Sequence, residues 1–197
     1  MKLNTPNKLT IARMLIAPVF LAVIMKESLP HRFLWATLIF VAASITDAVD
    51  GKLARKNNQV TNFGKLLDPI ADKVLTTAAL LVFLKLGLCN IWIVMIVLTR
   101  EFAIASIRMI AASNGVVIPA NIWGKLKTVS QMVFTIAIML LGEVYQYKTN
   151  LVPGVTVPYY LTLSNISNAL LWITAILTVI SGVIYIKDSK NAIDYSK

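Results

Sequence analysis

Asp47-Ala48-Val49-Asp50-Gly51-Lys52-Leu53-Ala54-Arg55, eight further residues, and then Gly64-Lys65-Leu66-Leu67-Asp68-Pro69-Ile70-Ala71-Asp72 form the stretch that governs the reading of this chain. Four aspartates are set in otherwise apolar surroundings. The first pair is spaced i,i+3 and the second i,i+4, so each pair projects from one face of a helix. An ionised carboxylate costs roughly 2.5–3.5 kcal/mol at the centre of a membrane helix on insertion scales. Convergence on divalent cations would offset the repulsion among four such groups.

The surroundings are apolar throughout. Of 197 residues, 57% are hydrophobic and 14% charged, against about 25% charged in an ordinary soluble domain. A polytopic, all-α membrane protein is predicted, with residues 1–197 as one domain and no separate soluble module. No removable signal peptide is expected: the first apolar run lacks an A-x-A-like site and holds Arg13. The single cysteine, Cys89, excludes an intrachain disulfide and reads as a small apolar filler. The net charge of +10 does not point to nucleic acid, because the basic residues flank apolar runs rather than forming a soluble arm. Anionic lipid headgroups or a phosphorylated substrate suit that pattern better.

Six apolar spans can be drawn: Leu9–Met25, Phe33–Val49, Leu66–Leu86, Ile91–Ala112, Trp123–Tyr145 and Leu163–Ile186. Each is near the ~20 residues a bilayer core requires. An even number places both termini on one side. That side then carries 15 of the 19 basic residues, leaving Lys26, Arg32, Lys85 and Lys148 on the other. The basic side is expected to be cytoplasmic, with all four aspartates at the cytoplasmic ends of spans 2 and 3. Those two spans are expected to be antiparallel neighbours joined by a tight turn over Lys52–Lys65. An irregular hairpin is expected near Lys148–Tyr160, where Pro153, Gly154 and Pro158 cluster. Lys2–Asn7 reads as a lead-in to the first helix. His31 reads as a solvated residue of an outer loop. Trp35, Trp92, Trp123 and Trp172 lie near span ends as interfacial belt residues.

Ligands made of oxygen alone favour hard cations such as Mg²⁺ or Mn²⁺. Four carboxylates suit a two-metal site, which clamps both sides of a displacement at phosphorus. Gly51 and Ala54 beside the first pair allow a flat ligand or a partner helix to approach the backbone. Arg55 is placed to reach phosphate oxygens, and Gly64 to permit a tight bend or close ligand approach. The plainer reading pairs the carboxylates with Lys52, Arg55, Lys65 and Lys73, but surface ion pairs need no such regular spacing.

The pattern Asp-x₂-Asp-Gly-x₂-Ala-Arg-x₈-Gly-x₃-Asp-x₃-Asp resembles the signature of the CDP-alcohol phosphatidyltransferases at all eight fixed positions. That resemblance implies the family's six-helix membrane fold and a reaction in which a CDP-linked lipid donates its phosphatidyl group to an alcohol and CMP leaves. It implies two divalent ions, Mg²⁺ or Mn²⁺, on Asp47, Asp50, Asp68 and Asp72, with Asp72 as the general base. It implies a CDP-lipid pocket formed by Gly51, Ala54, Arg55, Gly64, Asn7 and Thr10. Three further stretches, Pro6-Asn7-Lys8-Leu9-Thr10-x₂-Arg13, Thr99-Arg100-Glu101-Phe102 with Arg108, and Trp123-Gly124-Lys125-x-Lys127-Thr128, resemble the branch that uses CDP-diacylglycerol and sn-glycerol 3-phosphate. Arg108, Lys125, Lys127 and Arg100 are then the expected contacts for the acceptor's phosphate. Arg100 and Glu101 lie deeper in their span and are expected to pair with each other or with neighbouring helices. A homodimer in a bacterial inner (plasma) membrane, with its active site facing the cytoplasm, is also implied. The competing readings are a sibling transferase with another acceptor, such as a cardiolipin synthase, and more distantly a divalent-cation transporter.

Overall fold

The computed structural model describes residues 5–56, 62–113, 121–151 and 156–189, with side chains described for 11–46, 71, 73–112, 121–148 and 161–189. Among the described residues there are six helices and no strands: α1 Thr5–Met25, α2 Arg32–Lys56, α3 Asn62–Lys85, α4 Ile91–Ser113, α5 Ile122–Leu151 and α6 Thr156–Ser189. The six expected spans all fall on these helices. The helices run beyond the apolar runs because backbone hydrogen bonding continues wherever the local residues allow it. Two expected connections are therefore corrected. Most of Lys52–Lys65 is helical, leaving only residues 57–61 between α2 and α3, and α5 and α6 take up most of Lys148–Tyr160. Two stretches, Ile122–Lys148 and Leu161–Ser189, are long and apolar enough to cross a membrane; Ile11–Met25 and Arg32–Thr46 are shorter apolar stretches.

The extensive helix contacts form a closed circuit, α1–α2–α5–α6–α4–α3 and back to α1. Among the described residues α2 and α3 each pack on α1 rather than broadly on each other, which departs from the direct pairing expected from their sequence adjacency. The core includes Phe20, Phe40, Phe83, Leu80, Ile93, Ile138, Met139 and Leu171, all fully buried. The Phe20 and Phe40 rings meet at 6.0 Å between centroids, tilted by 53°, and so join α1 to α2. Large apolar side chains also cover the exterior, among them Leu15, Trp92, Phe102, Ile122 and Val183. A soluble protein seldom exposes so much contiguous apolar surface.

Local chemistry fixes the helix ends. The Asn90 side-chain oxygen accepts from Trp92 N at 3.0 Å at the start of α4, and that of Asn121 accepts from Gly124 N at 2.8 Å at the start of α5. After α3, Gly87 has φ 68°. Leu88 N donates to Phe83 O at 2.8 Å and Gly87 N to Leu84 O at 3.1 Å, the double bond of a glycine-terminated helix. The start of α2 is held from another helix. Glu143 of α5 accepts from Leu34 N at 3.2 Å and meets His31 Nδ1 at 2.5 Å. Its carboxylate thus satisfies an orphan amide where the helix dipole favours negative charge. His31, expected to be a solvated loop residue, is exposed yet engaged in this pair.

The residue before Glu143 shows how closely α2 and α5 approach. A Cβ added at Gly142 would lie 3.0 Å from two ring carbons of Phe33. A Gly142→Val variant is expected to lose about 1–3 kcal/mol of stability through overpacking, read as a lower unfolding temperature in detergent. At the α3–α4 turn, burial pushes the Cys89 thiol up to about 12. Its thiolate is therefore scarce at neutral pH. Alkylation by iodoacetamide at pH 8 is expected to run at least about a hundredfold slower in the folded protein than in denatured chain. Comparable rates would show that the thiol is not shielded.

Candidate active site

The continuous helix of α2 carries Asp47 and Asp50 one turn apart, and that of α3 carries Asp68 and Asp72 one turn apart. The side chains of Asp47, Asp50, Gly51, Ala54, Arg55, Gly64, Asp68, Asp72, Asn7 and Thr10 lie outside the described residues. Gly64 sits in the helical backbone of α3, which corrects the expectation of a tight bend there. Pro6 and Asn7 fall inside the first turn of α1 rather than before it, a position where proline's missing N–H is harmless.

Immediately after Asp72, the structure places a dense polar cluster that links three helices. Its centre is Glu101 of α4. Lys73 of α3 donates from Nζ to the Glu101 backbone oxygen at 2.5 Å and lies 3.4 Å from its Oε2. Lys127 of α5 donates to Glu101 Oε1 and, at 2.5 Å, to Gln131 Oε1. Arg100 Nη1 lies 3.5 Å from Glu101 Oε1. Three cations thus surround one carboxylate. The Glu101–Lys127 bridge joins α4 to α5, which are not neighbours in the packing circuit but both flank α6. Long side chains make the span, and a small residue makes room for them. A Cβ at Gly182 of α6 would lie 3.1 Å from Arg100 Cγ.

Burial grades the cluster. The Lys127 side chain is 2% exposed, Arg100 14%, Glu101 19% and Lys73 22%. Lys127 is therefore not a solvent-facing anchor but one of the most enclosed side chains in the structure. An ammonium so desolvated is tenable only when paired and hydrogen-bonded, and removing one partner of a buried pair costs about 3–5 kcal/mol. Arg100 and Lys73 are less enclosed than Lys127.

The other residues expected to meet an acceptor phosphate separate. Arg108, exposed on α4, donates from Nε to the Tyr185 hydroxyl at 3.2 Å, and its guanidinium carbon stands 5.2 Å from the centre of that ring. Tyr185 itself is 2% exposed. Arg108 stays close enough to Arg100 and Lys73 for their charges to repel. The ring and its hydroxyl thus hold the guanidinium on two counts. Lys125 is exposed at the start of α5, two residues from Lys127. The sequence reading missed Lys73, Gln131, Tyr185 and Gly182 as parts of this arrangement. Lys73 carried the clearest signal: an ammonium inside an apolar span needs a partner, and Glu101 is the one acidic residue in the adjoining fourth span.

Comparison with known proteins agrees with this geometry. The pattern of the CDP-alcohol phosphatidyltransferase family matches residues 3–180. A CDP-diacylglycerol–glycerol-3-phosphate 3-phosphatidyltransferase of Bacillus subtilis is 35% identical over 204 residues, covering 98% of each chain. Proteins of the same name are similar in Rickettsia bellii, at 40% identity over 95% of this chain and 96% of theirs, and in Haemophilus influenzae, at 35% over 98% and 97%. The match spans most of the chain, and on that extent the chain belongs to the CDP-alcohol phosphatidyltransferase family.

Proposed function

We propose that this chain transfers the phosphatidyl group of CDP-diacylglycerol to sn-glycerol 3-phosphate, forming phosphatidylglycerophosphate and releasing CMP. The observation that carries this reading is the junction at Lys73 and Glu101. It joins the helix bearing Asp68 and Asp72 to two helices that bring Arg100, Arg108 and Lys127. A diphosphate-linked donor needs the acidic, metal-binding side of that junction. An acceptor that is itself a phosphomonoester needs the basic side. The names of the relatives point to the same pair of substrates.

The donor set fits divalent metal: carboxylates alone, in two one-turn pairs on helices that both pack against α1. Asp47, Asp50, Asp68 and Asp72 would hold two Mg²⁺ or Mn²⁺ ions, which supply neutralisation of the donor's diphosphate. Gly51, Ala54, Arg55, Gly64, Asn7 and Thr10 line the side that receives the CDP moiety. Arg100, Arg108 and Lys125 receive the acceptor's phosphate, with Lys127 bracing them from inside. Asp72 takes the proton from the free primary hydroxyl of the acceptor. That oxygen bonds to the phosphatidyl phosphorus as the bond to CMP breaks, and CMP leaves as a phosphate monoanion or dianion. We further propose that all six helices of this one domain cross a bacterial inner membrane, that both termini and the site face the cytoplasm, and that the protein is a homodimer.

Purified protein with CDP-diacylglycerol is expected to release CMP with glycerol 3-phosphate and Mg²⁺ or Mn²⁺, and not with serine, inositol or phosphatidylglycerol. Excess EDTA should stop the reaction. Equal turnover with another acceptor would assign the chain to a sibling activity. Asp68→Asn is expected to lower kcat by more than about a hundredfold while the protein still reaches the membrane. Activity at the unmodified level in that variant would remove Asp68 from the metal site.

A further inference from the structure

Resting on that reading of the substrates, we infer that Glu101 is a positioning residue which aligns the acceptor-phosphate site with the reacting end of α3. The argument starts from how its oxygens are used. The backbone oxygen and Oε2 both face Lys73, the residue that follows Asp72 in the chain. Oε1 takes Lys127 and lies beside Arg100. A single residue of α4 therefore sets the rotation of α3 at the turn of the proposed base, and also the placement of Arg100 beside it.

The support for Glu101 comes from behind. Lys127 is almost fully enclosed and is fixed by Gln131 on the next turn of α5. Two of its three N–H donors are thus spent on Glu101 and Gln131. This leaves Lys127 as a brace for the carboxylate. Arg100 is steered by contact with α6 at Gly182. Held in this way, Arg100 and Lys73 keep their charges within reach of the Glu101 carboxylate, both only partly shielded from outside. Three cations against one carboxylate leave two positive charges in the cluster, which matches a phosphomonoester of about −1.5 to −2 at neutral pH. Glu101 touches neither the acceptor nor the reacting atoms in this scheme; it acts through the groups it holds.

The discriminating variants are Glu101→Asp, which keeps the charge but withdraws it by about 1.5 Å, and Glu101→Gln, which keeps the shape but removes the charge. Shortening is expected to raise KM for glycerol 3-phosphate at least about threefold, and neutralisation about ten- to a hundredfold, the range found when a group that orients a ligand is lost. KM for CDP-diacylglycerol should stay within about twofold in both, since the donor is held by the other helices. The Kd for glycerol 3-phosphate, measured by calorimetry in detergent, should move with its KM. If Glu101→Gln does not fold, the charge-balanced Lys73→Met/Glu101→Gln pair is used. It is expected to fold yet keep the raised acceptor KM. The inference is overturned if the folded variants keep the wild-type acceptor KM, if both KM values rise together, or if the balanced pair restores the acceptor KM. A wild-type protein that releases no CMP with glycerol 3-phosphate would instead refute the substrate reading itself.

Discussion

One carboxylate shared among three cations, inside a bundle of apolar helices, is the constraint around which the rest of the structure is arranged. Charge in such surroundings cannot be left alone. Desolvating an ammonium or a guanidinium costs several kcal/mol, and only close pairing in good geometry recovers it. Lys127 is so enclosed that its position is meaningful only with Glu101 and Gln131 in place. The cluster therefore dictates how far apart α3, α4 and α5 sit at that level, although α4 and α5 share no extensive packing among the described residues. Apolar packing alone would not specify this, because side chains in a lipid-facing bundle gain little by choosing a helix over lipid.

Away from the cluster the helices are matched by fine shape and local bonding. Hydroxyls are buried on both of the longest helices, Thr135 on α5 and Thr174, Thr178 and Ser181 on α6. On α6 these hydroxyls return their protons to carbonyls of their own helix, as Thr178 does to Thr174 O at 2.7 Å, so they bury no unsatisfied donor. At the far end of α5, Gly142 and Glu143 act on α2 together, one by admitting Phe33 and the other by capping the helix start. The bundle is thus pinned polar-to-polar near both ends of α5, with apolar packing between.

Much of this was legible from the residues. The apolar runs located all six helices, with ends displaced by up to seven residues, since a run of that length in a chain so poor in charge has no other economical backbone solution. The aspartate spacing pointed to helical carboxylate pairs suited to hard cations, and the resemblance carried by the eight-position pattern implied the reaction. What could not be read was which helices touch. Adjacent in sequence, α2 and α3 were expected to pair, yet both lean on α1. Nothing in a hydropathy pattern reports such an exchange, because each helix offers apolar surface in all directions. The enclosure of Lys127, expected as an acceptor contact, was hidden for the same reason. A lysine near a span end ordinarily reaches toward the interface, and here Gln131 one turn on and Glu101 from a distant part of the chain turn it inward. Tyr185 carried no signal at all, since a tyrosine in an apolar helix is unremarkable until an arginine lies over its ring.

The arrangement also bears on why a family reaction with many possible alcohols can be narrowed here to an anionic one. An acid-lined metal site treats any hydroxyl in much the same way, so discrimination has to come from the groups that meet the rest of the acceptor. On the proposed reading those groups are the cations whose own repulsion is held in check by one shared carboxylate. A neutral alcohol would leave two positive charges uncompensated in a poorly solvated space, whereas a phosphomonoester supplies the missing counter-charge on arrival. Rejection of the wrong acceptor then follows from the same electrostatics that make the right one bind, with no steric barrier required. The cost falls on the empty site, where like charges from α3, α4 and α5 are held together by Glu101 and Gln131 alone among the described partners. A cluster maintained at that cost would be preorganised for an anion before the anion arrives, and on the proposed reading the selectivity lies in the resting bundle and not in a later rearrangement.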